Sequence, residues 1–141
     1  MPTGRTVTDP KTKAAPPAVT RPLDSIAHSE FVSADPKATR AFLEKAFHWR
    51  FEPRAGPGGE YLAFQTGGGS RGGVRPPGPG EAPGTLSYVL VADLDEAMAA
   101  IRRAGGEIVL PRTDAPVGSF CWFKVPGGPI LAAWQDAPGR A

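Results

Sequence analysis

The chain has 141 residues, a net charge of +2 and a single cysteine. That length suits one domain able to bury its own core, and a lone cysteine excludes an intrachain disulfide. The charge is slight and no Lys/Arg cluster interleaves with aromatics, so no nucleic-acid partner is expected. No apolar run reaches the length of a membrane span. The N-terminus lacks the charged-then-apolar order of a secretory signal, and a cytoplasmic protein with a reduced thiol is expected.

Residues 1–22 are polar and rich in proline, with no apolar periodicity, and read as a disordered tail. Ser25–Ser33 reads as a strand. Asp35 makes an N-cap with Pro36 at the first helical position. Ala38, Ala41, Phe42 and Ala46 then recur at helical spacing, widened by Leu43 and Phe47. Strands are expected near Arg50–Pro53 and Tyr61–Thr66, with a weaker one near Gly72–Arg75. The stretch PPGPGEAPG, residues 76–84, is a linker by composition. Thr85–Ala92 is a second leading strand. Asp93 and Glu96 make a D-x-x-E capping signal. Leu94, Ala97, Met98 and Ile101 form an apolar helical stripe ended by Gly105-Gly106. Strands follow at Glu107–Leu110, Ser119–Lys124 and Pro129–Gln135.

The order repeats. A gapless offset of 58 residues lays Asp35 on Asp93, Pro53-Arg54 on Pro111-Arg112, and Tyr61–Phe64 on Ser119–Trp122. Two βαβββ units are therefore expected, with module one at 25–77, a linker at 78–84, module two at 85–136 and a short tail at 137–141. Helices covering one face of each sheet give an α+β domain. The other, concave face is where an apolar-walled pocket tends to form.

The segments IAHSEFVSADP…AFLEKAFHWRFE, LSYVLVADLDEAMAAIRRAGGEIVLP and FCWFKVPGGPILAAWQ resemble the vicinal oxygen chelate family. That family includes glyoxalase I, bleomycin-resistance proteins and extradiol dioxygenases. The likeness spans Ser25–Asp136. It implies tandem βαβββ modules forming curved mixed sheets around a cavity, and a homodimer. It also implies metal ligands on the first, fourth, fifth and eighth strands. The corresponding positions are His28, Val74, Leu86 and Ala132, of which only His28 can donate through its side chain. A catalytic zinc needs about three protein ligands, so even with Glu30 the set is short. The expectation is no metal and no cofactor. His48 stands where the family has the glycine of F-G-W at a helix end.

Strand alternation puts His28, Glu30 and Val32 on one face, with Leu86, Tyr88 and Leu90 facing the same way. The resemblance adds Leu62, Phe64, Phe120, Trp122 and Trp134 to the cavity side. His28 and Glu30 are the candidate catalytic pair, and Tyr88, Leu62, Phe64, Phe120, Trp122 and Trp134 the candidate ligand contacts. Arg71 and Arg75 would lie at the rim, as anion contacts or as solvated charges. Cys121, on the alternate face, reads as core. GGGSRG, residues 67–72, matches G-x-G-x-x-G formally but has no helix after it.

Two accounts of the cluster stay open: a ligand-orienting pocket, and a satisfied polar network plugging the sheet interior. The first leads to a protein binding a small amphipathic molecule without a tightly bound metal. The alternative is a lyase or isomerase using His28 and Glu30 for proton transfer on a small carbonyl or hydroxy compound. A third is a structural or regulatory domain with a filled pocket. If the concavity is hydrated, His28→Ala and Glu30→Ala should each cost less than about 1.5 kcal/mol of stability.

Overall fold

Two aspartates start the two helices. The Asp35 carboxylate accepts a hydrogen bond from the Ala38 amide (3.1 Å), and Asp93 accepts one from Glu96 (3.0 Å). In this computed structural model, which describes residues 21–56 and 59–139, they launch α1 (Pro36–Phe47) and α2 (Leu94–Arg103). Asp95 and Glu96 in the first turn of α2, with Arg102 and Arg103 in its last, complement the helix dipole. His48 closes α1 in the left-handed region at φ 59°, which explains a glycine at that place in the resembling sequences.

The strands are β1 (Ile26–Val32), β2 (Arg50–Gly56), β3 (Gly59–Gln65), β4 (Arg71–Arg75), β5 (Gly84–Leu90), β6 (Glu107–Ala115), β7 (Gly118–Lys124) and β8 (Ile130–Asp136). They form one curved mixed sheet in the order β2-β3-β4-β1-β5-β8-β7-β6, an α+β fold of two βαβββ modules. The modules join within the chain through antiparallel β1 and β5, with His28 opposite Tyr88 and Glu30 opposite Leu86. β4 and β8 flank that pair in parallel. No described helix is long and apolar enough to cross a membrane. Most of the expected N-terminal tail, residues 1–20, lies outside the described residues, as do residues 140 and 141 of the C-terminal tail. Arg21 belongs to the fold, its guanidinium bonding Asp136 at 2.8 and 3.0 Å.

Each helix covers its own module's outer sheet face. Leu94 and Met98 of α2 pack on Cys121, Phe123 and Ala133 of the sheet. Cys121 is fully buried there, and burial raises its thiol pKa. The matching cluster in module one is Leu62, Phe64 and Val74, with Phe31, Trp49 and Phe51 packed against it. α1 sits on this face differently from the expected stripe. Ala38, Ala41, Phe42 and Ala46 are exposed, and of the stripe only Leu43 is buried. A hydrogen bond of 2.7 Å between the Ser33 and Thr39 hydroxyls and the Arg40 guanidinium over the Phe51 ring set the helix rotation. Phe42 (64% exposed) and Phe47 (58%) consequently point outward.

The gapless offset also fails past the helices, for a measurable reason. Arg50 opposite Gln65 corresponds to Glu107 opposite Lys124. That makes the offset 57 between β2 and β6 but 59 between β3 and β7. β6 takes up the two residues at register breaks between Ile108 and Leu110 and between Leu110 and Thr113. From there on the modules match at 59, one more than the gapless offset. One residue of slip turns every side chain to the other face.

Candidate functional site

The slip decides which side chains reach the concave face. Leu62 and Phe64 correspond to Cys121 and Phe123, and sit in the core beneath α1 with Phe31 and Trp49. They do not face the cavity, contrary to expectation. Val74 also belongs to that core. The concave positions of β3 and β4 are Tyr61, Ala63, Gly73 and Arg75. From module two, Leu86, Tyr88 and Ala132 form a buried cluster with Phe120, Trp122 and Trp134 packed on it.

Glu30 is the centre of the site. It is 7% exposed, and its Oε1 accepts hydrogen bonds from Tyr88 Oη (2.8 Å) and Arg75 Nε (2.9 Å). The Tyr61 phenol lies against the same carboxylate. Burial first, then the charge of Glu30, push the Tyr61 and Tyr88 pKa values well above the usual tyrosine range, so both phenols are donors rather than acids. Gly73, opposite Glu30, makes room for this: a Cβ there would fall inside the Tyr61 ring. Trp122 Nε1 is buried without a well-formed acceptor. It leans toward the Tyr88 hydroxyl, close enough to offset part of that shift.

Arg75 links this cluster to the segment between the modules. Its Nη1 and Nη2 fork onto the two oxygens of Glu81 (2.7 and 2.9 Å), and its guanidinium lies over the Trp122 ring, 5.4 Å from the centroid. Burial pulls the Arg75 pKa down, but the hydrogen bonds to Glu81 and Glu30 outweigh it. The same hydrogen bonding holds the Glu81 carboxyl below the usual carboxylate range.

His28 is not coupled to Glu30 as an acid–base pair. Its ring stacks on Tyr88 (centroids 4.3 Å apart) and meets Trp134 edge-on at 5.7 Å. Burial, then the positive charges of Arg21 and Arg71, lower its pKa to about 4, with Asp136 opposing. At neutral pH it is an uncharged imidazole.

The middle of the concave face is thus filled by the protein's own rings. Open space remains at one end, a cleft of about 430 Å3 between Val32 and Leu86, Trp122, Val109 and Ile130, roofed by a strap at residues 79–84. Sequence reasoning missed Tyr61 and Glu81 and treated Arg75 as a rim charge. The facing of Tyr61 and Arg75 follows from the register, whose shift in β6 is visible in pairing rather than in composition, and the place of Glu81 follows from the loop between β4 and β5.

A resident metal does not fit this site. With the corrected register the four positions are His28, Gly73, Leu86 and Ala132, and the Tyr61 ring occupies the space in front of Gly73. Glu30 is engaged by Arg75 and Tyr88. Among the described residues, no three His, Cys, Asp or Glu side chains converge as a ligand set.

No protein-family profile and no curated protein matches the chain. Solved structures do. Methylmalonyl-CoA epimerase from Mycobacterium tuberculosis superposes with a TM-score of 0.67 at 14% identity, over 82% of this chain and 90% of that one. A single-site variant of the Streptomyces coelicolor methylmalonyl-CoA epimerase, in complex with 2-nitronate-propionyl-CoA, gives 0.64 at 16% identity over 85% and 99%. A glyoxalase/bleomycin resistance protein/dioxygenase superfamily member from Vibrio splendidus 12B01 gives 0.57 at 13% over 78% and 97%. With the tandem modules, the central β1–β5 pair and these superpositions together, the chain has the vicinal oxygen chelate fold, that of the glyoxalase/bleomycin resistance protein/dioxygenase superfamily.

Proposed function

We propose that the protein binds a small amphipathic molecule in the cleft between Val32, Leu86, Trp122 and the 79–84 strap, without a tightly bound metal. The observation that carries this reading is the cleft itself: about 430 Å3 of space with mainly apolar walls and Glu81 at its edge. Small-molecule sites combine these features. The Streptomyces coelicolor epimerase, a structural neighbour, holds a CoA derivative on the same fold. Titration with the neutral fluorophore N-phenyl-1-naphthylamine tests it. Saturable binding by the wild type, lost in Ala82→Trp, supports the reading, because Ala82 is exposed and lines the cleft. Absence of saturable binding would sink it and favour a filled interior. Elemental analysis showing about one metal per chain would overturn the metal-free part.

The epimerase neighbours favour a second reading, proton transfer on a small carbonyl or hydroxy compound by His28 and Glu30. Neutral His28 is in a state to accept a proton, whereas Glu30 already accepts two hydrogen bonds. Turnover of such a compound, abolished in His28→Gln, would establish it. In either reading we infer a cytoplasmic homodimer with a small-molecule partner and no nucleic acid. The outer edges of β2 and β6, and the exposed Phe42 and Phe47 on α1, are the surfaces a second copy would cover. Light scattering at micromolar concentration should report twice the chain mass, and a stable monomer would refute the dimer.

A further inference from the structure

The roof of the cleft is held in an unusual way. Between Pro76 and Pro83, the strap is tied by a turn bond from the Glu81 amide to the Gly78 carbonyl (3.0 Å), by the Arg75 bond to the Pro76 carbonyl (3.2 Å), and by the bonds of the Glu81 carboxylate. That carboxylate takes both outer nitrogens of Arg75 and the Gly78 amide (2.9 Å). Glu81 lines the cleft, and Arg75, which holds its carboxylate, is not among the lining residues. The guanidinium is fixed independently of the strap, by its Nε bond to Glu30 and its position over Trp122.

We propose that Glu81 stands in for the carboxylate of the cleft's ligand, and that the cleft takes small organic monocarboxylates with an apolar body. This rests on the binding reading above and deepens it. A planar guanidinium whose outer edge is presented as a two-nitrogen fork matches a carboxylate in geometry and charge. In the closed form Glu81 fills that fork. A ligand carboxylate replaces it charge for charge, so the balance among Arg75, Glu30 and the incoming group is unchanged. The apolar body then lies along Trp122, Leu86 and Val32, and the Gly/Pro strap moves aside with Glu81. An uncharged ligand would gain nothing from the fork, and a dianion would bring one charge too many.

The test compares 1-naphthoate with its neutral isostere 1-naphthamide by Trp fluorescence titration of the full chain. Three proteins are used: wild type, Glu81→Gln and Arg75→Gln. Glu81→Gln should bind naphthoate about tenfold more tightly than the wild type, the size expected for one freed charge-assisted contact, with naphthamide unchanged. Arg75→Gln should abolish the preference for naphthoate. Since Arg75 also supports Glu30, a melt of each variant is run alongside. If Arg75→Gln is unfolded, the Glu81→Gln comparison decides alone. Equal gains for acid and amide, or no gain for the acid, would overturn the stand-in role while leaving the cleft a binding site. Failure of both compounds and of the neutral fluorophore would overturn the binding reading itself.

Discussion

The two modules share a backbone plan but line the concave face with opposite chemistry. Module one contributes the charges, a phenol and an imidazole: Glu30 and Arg75, Tyr61, and His28. Module two contributes rings, Phe120, Trp122 and Trp134, with Tyr88 alone reaching across to Glu30. Glu30 and Tyr88 stand at equivalent places in the two leading strands, so the hydrogen bond between them is where the repeat meets itself. The comparison teaches that a repeated scaffold fixes where a side chain stands, while the residue type there decides between a polar anchor and an apolar wall. The helices differ as well. α2 buries Leu94 and Met98, whereas α1 buries only Leu43 and leaves Phe42 and Phe47 outside.

The division can be broken most severely at Glu30. Glu30→Ala leaves Tyr88 without its carboxylate partner and Arg75 with Glu81 as its one remaining carboxylate among the described contacts. It should cost about 2–4 kcal/mol in urea melts, more than the sequence suggested, because the carboxylate is buried rather than hydrated. A loss below about 1 kcal/mol would mean that packing alone joins the modules.

Next comes His28. The unfolded imidazole takes up a proton near 6.5 and the folded one near about 4, so the unfolded state binds more protons between those values. The stability linked to His28 is complete above pH 6.5 and is lost as pH falls toward 4, by about 3 kcal/mol. His28→Phe keeps a ring against Tyr88 and removes the titration. Its melts should therefore lose less stability than the wild type between pH 7 and pH 4.5, and parallel pH curves for the two proteins would refute the assignment.

A smaller effect is expected at the paired positions Gly73 and Ala132. Gly73→Ala pushes a methyl into the Tyr61 ring and should cost about 1–3 kcal/mol. Ala132→Gly in module two creates no clash and should cost about 1 kcal/mol, chiefly through backbone entropy. Equal costs by denaturant melts would show that Tyr61 does not fill the place in front of Gly73.

Much of this was legible in the sequence. Asp35 and Asp93 marked both helix starts, and alternation placed His28, Glu30 and Tyr88 on one face. Register was not legible, because the two extra residues of β6 leave its composition strand-like while moving every later equivalence by one. The gapless offset consequently pointed to Val74 in place of Gly73, and the resemblance put Leu62 and Phe64 on the cavity side, whereas Leu62, Phe64 and Val74 all lie in the core. The rotation of α1 was hidden for a different reason. Its alanines and phenylalanines satisfy helical periodicity on more than one side, and the choice among them is made by Ser33, Thr39 and Arg40, polar residues that a hydrophobic pattern ignores. The fork between Arg75 and Glu81 depends on a loop conformation, which composition alone describes only as a linker.

The central pairing of β1 has a kinetic consequence. Its neighbours β4 and β5 are distant in sequence: Ser29 lies beside Gly72 and Ser87. The hairpins β2–β3 and β6–β7 close locally, but the first strand has no partner in the sheet until β4 and β5 exist. Contacts of such long separation slow folding. On a ribosome, Glu30 would wait for most of the first module to emerge before meeting Arg75, and longer for Tyr88. The strand that carries Glu30 thus depends on pairings of long sequence separation, and the site is complete only once those pairings have formed.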